Sequence, residues 1–179
     1  KRDQVYAYND VYDHAITVVE DGQTFEENAL KKVAALPPLN DNKNHPDTII
    51  LADDSGLEVA ALDNRPGIYS ARYGGDTLTD IERCELLLNE LSKESNRKAR
   101  FICVIALQLP TGDRHTITGI CTGTISKKIA GNSGFGYDPI FIPDGYDNTF
   151  SELGPDVKSQ HSHRAKALRQ VSVQCQQIV

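Results

Sequence analysis

Two β-rich runs, Phe101–Leu109 and His115–Ile125, are joined by Pro110-Thr111-Gly112-Asp113-Arg114, and this pair of runs restricts the fold more than any other part of the sequence. A turn of hairpin length built on Pro, Gly and Asp predicts an antiparallel pair. The longest apolar stretch, Phe101–Leu107, lies inside the first run and is far short of the roughly 20 residues that a membrane span needs. No basic-then-apolar signal segment opens the chain, so the sequence reads as that of a soluble, cytosolic protein.

Helical signals flank the hairpin. Thr24-Phe25-Glu26-Glu27 is a capping box, in which the Thr hydroxyl accepts from the amide three residues on and Glu27 reaches back. Phe25, Ala29, Leu30 and Val33 share one face, and Glu27 and Lys31 stand at i,i+4, which predicts a helix over 24–36. The polar, Pro-rich stretch Pro37–Pro46 is a surface loop. After it, Thr48–Ala52 is a short β-branched run that predicts a buried strand ending at Asp53-Asp54-Ser55-Gly56. A second capping box, Thr79-Asp80-Ile81-Glu82, opens a helix to about Leu91. A Gly-rich loop (Gly131–Gly136), a short strand at Pro139–Ile142 and a helix over 162–176 complete the series. Hairpins mixed with helices predict an α/β fold with a mixed sheet.

At 179 residues the chain has the length of one domain. Its 19 Lys+Arg against 25 Asp+Glu leave a net charge of −6, which argues against a nucleic acid polymer as partner but leaves small anions open. Four cysteines are scattered without a CxxC pair, as expected of reduced core thiols rather than a zinc or redox site.

Four constellations carry chemistry. Asp53-Asp54-Ser55-Gly56 offers two carboxylates whose side chains alternate faces; they suit a hard divalent cation with phosphate oxygens, and equally a polar turn capped by Asp54. Glu20 is a further acid ahead of the first helix, and Lys32, unpaired with Glu27, is freer than Lys31 to reach an anion. In Gly131-Asn132-Ser133-Gly134-Phe135-Gly136-Tyr137-Asp138-Pro139, glycines allow close backbone approach, Phe135 offers a stacking surface for a base, and Asp138 can accept from a base N–H. Lys158-Ser159-Gln160-His161-Ser162-His163-Arg164 places cations at a helix start, an anion site or a solvated basic end; the i,i+2 histidines are not a helical zinc pair.

Taken together, these segments resemble the inosine triphosphate pyrophosphatase family. The stretches that carry the resemblance are Thr24–Ala29, Ala52–Leu57, Pro66-Gly67-Ile68-Tyr69-Ser70-Ala71-Arg72-Tyr73, Gly134–Phe141, and Lys158 with Ser162-His163-Arg164. The resemblance implies an α/β fold with a mixed, elongated β-sheet, flanking helices and two lobes around a central nucleotide cleft. It implies Mg²⁺-dependent hydrolysis of noncanonical purine nucleoside triphosphates to monophosphate and pyrophosphate, by a homodimer. Asp54 matches the catalytic acid; Glu20, Asp54 and the adjacent Asp53 form the expected metal site. Ser55 matches a substrate contact and Lys32 and Lys158 match triphosphate-binding lysines. Phe135, Gly136, Tyr137 and Asp138, with His163 and Arg164, correspond to the base pocket.

Arg164 carries only donors, so it suits a 6-oxo group and not the 6-amine of adenine, and ITP, dITP and XTP are the expected substrates. A Maf-type pyrophosphatase of modified nucleotides and a non-catalytic nucleotide-binding protein are the alternatives. The family's Thr-Gly-Asn-x-x-Lys phosphate loop is not found before Glu20, and the chain has no Met. The expectation is therefore a single domain whose first strand and phosphate loop precede the residues given.

Overall fold

The computed structural model describes residues 5–7, 10, 16–36 and 48–178. The expected surface loop at 37–46 lies outside the described residues. The first helix, α1 (Phe25–Ala35), begins where the sequence places it, with the Thr24 hydroxyl accepting from the Glu27 amide at 3.1 Å. Glu27 reaches one residue further back than expected, to the Gln23 amide at 2.6 Å. Its carboxylate is thereby occupied at the cap, and Lys31 pairs with Asp21 instead of Glu27.

Four strands follow among the described residues: β1 (Ile50–Val59), β2 (Lys98–Gln108), β3 (Arg114–Ile125) and β4 (Phe141–Pro143). They form one sheet in the order β1-β2-β3-β4, antiparallel at every step. The β2–β3 pair is the expected hairpin. The strand expected to stop at Asp53 instead runs on to Val59, with Asp53 opposite Ile105, Asp54 opposite Val104 and Val59 opposite Ala99. The long apolar β2 supplies ladder partners along its whole length, and the two acids are tolerated because each finds a cationic partner. The strand expected at Pro139–Ile142 begins later, because Asp138–Ile140 is a 3₁₀ turn and Pro139 has no N–H to give a ladder.

Helix α2 (Asp80–Glu90) starts at a complete Thr79–Glu82 capping box. Helix α3 (Phe150–His161) lies where the sequence analysis places no element; it bends at Gly154-Pro155, with a Gly154 φ of 81°. A third capping box, Thr149-Phe150-Ser151-Glu152, marks its start. Helix α4 (His163–Ile178) follows after Ser162, whose hydroxyl accepts from the Ala165 amide at 3.2 Å. Lys158 and Arg164 therefore stand on different helices.

Strand alternation sorts the core by face. On one face, Phe25, Ala29 and Val33 of α1 pack on Ile102, Val104 and Ala106. On the other, Ala167 and Val171 of α4 pack on Cys103, Ile105, Leu107 and Ile117. Helix α4 comes so close that a Cβ at Gly119 would lie 2.1 Å from the His163 carbonyl oxygen. A third cluster, including Leu57, Val59, Leu87, Phe101, Tyr137, Phe141 and Phe150, joins α2 and α3 to one end of the sheet. All four cysteines are free, and three are buried.

Candidate active site

Asp54 projects from β1 onto the α1 face. It is 7% exposed, and its partners come from α1, where the helical repeat brings Asn28 and Lys32 to one side. Lys32 Nζ donates to Asp54 Oδ1 at 2.8 Å and lies 3.1 Å from Glu20 Oε2, so one ammonium serves two carboxylates. It also donates to the Asp53 carbonyl at 3.2 Å. Asn28 Nδ2 donates to Asp54 Oδ2 at 3.4 Å, while Asn28 Oδ1 accepts from the Gly22 amide at 2.9 Å and so fixes the turn that follows Glu20. Arg72 donates to the Glu20 carbonyl at 3.4 Å. Burial pushes the Asp54 carboxyl above the usual range, and repulsion from Glu20 adds to the rise, against the opposing effect of Lys32 and Asn28. Burial acts to lower the Lys32 ammonium, but Asp54 and Glu20 overcome it and hold the lysine protonated.

Asp53, the preceding residue, faces the other way. Its Oδ2 accepts from Arg164 Nη2 at 2.7 Å, Arg164 Nε at 3.2 Å and Ser55 Oγ at 2.8 Å. Arg164 Nη2 also lies 3.4 Å from Ser55 Oγ. Burial acts to raise the Asp53 carboxyl, but Arg164, Ser55 and Lys32 together bring it below the usual range. Asp53, grouped on the sequence with Glu20 and Asp54 as a metal ligand, is thus separated from them by the strand itself.

His163 is 6% exposed and stacks on Phe101 with centroids 4.8 Å apart and planes 13° from parallel. Burial first, then Arg164 and Lys158, hold its pKa down at about 3, so it is a neutral core imidazole and not a cation.

The Gly-rich loop separates its two aromatics. Phe135 is 63% exposed, whereas Tyr137 is 4% exposed, with its hydroxyl donating to the Ser70 carbonyl at 3.0 Å. Tyr137 is a core residue that anchors the loop. Lys158 Nζ sits 3.8 Å from the centre of the Phe135 ring and pairs with Asp138 Oδ2. That oxygen also accepts from the Phe135 amide at 3.0 Å, so the acceptor expected to meet a base is engaged within the loop. Gly134 is required here: at a φ of 82°, a Cβ would lie 2.2 Å from Asp138 Oδ2. Gly136 donates its amide to Asp80 Oδ2 on α2 at 2.7 Å.

Asn28, Arg72 and Asp80 were not singled out from the sequence. Asn28 and Arg72 lie within the recognised stretches and Asp80 within a capping box, but their partners are distant in sequence. Among the described residues, no three His, Cys, Asp or Glu side chains converge as a metal cage. Glu20 and Asp54 do converge, on the Lys32 ammonium. Two hard oxygen donors held together in this way suit a hard divalent cation, with Glu20 and Asp54 as the residues that would hold it.

Known proteins share this arrangement of chain. A curated dITP/XTP pyrophosphatase from Desulfotalea psychrophila is 44% identical over 165 residues, covering 90% of this chain and 70% of that protein. One from Clostridium perfringens is 46% identical over 158 residues, covering 87% and 78%. The solved Ham1 protein of Staphylococcus aureus superposes with a TM-score of 0.83 at 41% identity, covering 92% of this chain and 82% of that one. The model of the Ham1 family matches residues 2–174, nearly the whole sequence, and the chain therefore belongs to the Ham1 family.

Proposed function

We propose that this chain hydrolyses noncanonical purine nucleoside triphosphates, ITP, dITP and XTP, to the monophosphate and pyrophosphate. Relatives named dITP/XTP pyrophosphatase support the substrate class. The observation that carries the chemistry is the sheltered Asp54 carboxylate held against Lys32, an ammonium that Glu20 shares.

In this reading Asp54 orients a water and takes up its proton as the water oxygen bonds to the α-phosphorus. The bond from that phosphorus to the bridging oxygen breaks, and pyrophosphate leaves. Lys32 balances negative charge on the departing group. Glu20 and Asp54 would hold Mg²⁺, which when bound neutralises charge on the phosphates. Phe135 stacks on the base, Asp138 and Lys158 set the ring's surroundings, and Arg164 meets the 6-oxo group. Ser55 and Gly136 complete the substrate contacts.

Pyrophosphate release measured across ITP, XTP, dITP, GTP, ATP and dUTP, with and without Mg²⁺, tests the proposal. Mg²⁺-dependent release from the first three is the expected result; equal rates with ITP and ATP, or release without the metal, would contradict it. The family resemblance carries a homodimer as a further expectation, and sedimentation at micromolar concentration checks it against a monomer. No helix among the described residues is long and apolar enough to cross a membrane.

A further inference from the structure

The first acid of the Asp53-Asp54 pair has no part in the chemistry above, yet one of its carboxylate oxygens gathers Arg164, Ser55 and, at 3.7 Å, the Cys103 thiol. Arg164 presents two edge donors, Nε and Nη2, to Asp53 Oδ2 at 3.2 and 2.7 Å. Ser55 Oγ donates to the same oxygen at 2.8 Å and also lies 3.4 Å from Arg164 Nη2. A guanidinium is a rigid plane, so two fixed donors on one edge fix the direction of the rest. Nη1 has no partner among the described residues. The pair is half-exposed, so by itself it contributes little to stability. Its effect is on what Arg164 can bind.

We infer that Asp53 is a specificity-determining positioning residue, acting through Arg164 to make that arginine a reader of the base and not an additional anchor for the triphosphate. This inference rests on the pyrophosphatase reading and on Arg164 meeting the 6-oxo group. A free arginine on a long, flexible stem is drawn to the largest nearby negative charge, which in the complex is the triphosphate common to every nucleotide. With its charge balanced by Asp53, Arg164 gains less from phosphate and keeps Nη1–H directed outward. A 6-oxo group satisfies that donor; a 6-amine leaves it unpaired, which disfavours adenine by about 5- to 150-fold. The strand geometry supports the division of labour: adjacent β1 residues face opposite ways, so Asp54 works with Lys32 and Glu20 while Asp53 tunes the reader.

The test compares wild type with Asp53→Ala and the isosteric Asp53→Asn, each first checked by circular dichroism and thermal melting. kcat/KM is measured for ITP and ATP, and the half-saturating Mg²⁺ concentration for ITP. Binding of IMP and AMP is measured by calorimetry without metal. The expected result is an ITP-to-ATP ratio lowered about tenfold or more in Asp53→Ala and by less in Asp53→Asn. The IMP-to-AMP binding ratio should fall in parallel, and the Mg²⁺ requirement should stay unchanged. In an Arg164→Ala background, Asp53→Asn should change the ratio no further, because the effect passes through Arg164. A wild-type ratio in folded Asp53→Asn, or a raised Mg²⁺ requirement with the ratio intact, would overturn the inference and return Asp53 to a structural or metal-binding role. A wild-type enzyme that does not itself separate ITP from ATP would overturn the substrate reading, and this inference with it.

Discussion

Phe135 and Tyr137 look alike in the sequence, two aromatics spaced by glycine, yet one is exposed and the other is core. What separates them is the Tyr137 hydroxyl bond to the Ser70 carbonyl, a partner 67 residues away that no local pattern reveals. A stacked base is worth about 1–3 kcal/mol on an aromatic face. Phe135→Ala should therefore lower kcat/KM for ITP about 5- to 150-fold while leaving the melting temperature nearly unchanged, since the ring is largely in solvent. Steady-state kinetics beside a thermal melt checks both halves. Asp54 was legible as an acid near a strand and Lys32 as an unpaired cation, because charges in otherwise apolar elements need partners. That Asp54 and Lys32 are each other's partner, and that Asp53 turns away to Arg164, was not legible, since it depends on how α1 and α4 dock on opposite faces.

At the scale of elements, capping boxes were the most dependable signals. Thr24 and Thr79 start α1 and α2 where expected, and Thr149 starts α3, a helix that the sequence analysis did not place. The β2–β3 hairpin was legible from its turn, whereas the length of β1 was not: Asp53-Asp54-Ser55-Gly56 has poor strand propensity, and only pairing with β2 extends the ladder through it. Helix α2 matters to the site through its first turn, where Asp80 accepts the Gly136 amide and ties the Phe135 loop to the body of the protein. Removing that acceptor leaves a solvent-accessible amide and forfeits about 1 kcal/mol of loop ordering. Asp80→Ala should raise KM for ITP about fivefold with kcat little altered; an unchanged KM would show that the loop is held without it.

Across the whole molecule, the sheet separates the face that carries Asp54 and Lys32 from the face that carries Asp53 and Arg164, and core clusters pack on both. His163 stands where two of those clusters meet, stacked on Phe101 at the start of α4 and held neutral. Its pKa of about 3 lies below the ordinary imidazole value of 6.5, so between those pH values the unfolded chain binds a proton that the folded chain does not. Stability conferred by the neutral imidazole is therefore fully present above about pH 6.5 and is lost as pH falls through that window, with a slope approaching about 1.4 kcal/mol per pH unit. Urea denaturation from pH 7 to pH 4.5 should show this slope, and His163→Asn should flatten it. The central claim concerns the opposite face, that Asp54 activates water for attack while Lys32 and Glu20 surround it. The most direct measurement is pyrophosphate release from ITP by Asp54→Asn, paired with calorimetric binding of IMP. A loss of about 10²- to 10⁴-fold in kcat with IMP affinity preserved is the expected result, and near-normal turnover by that variant would contradict it.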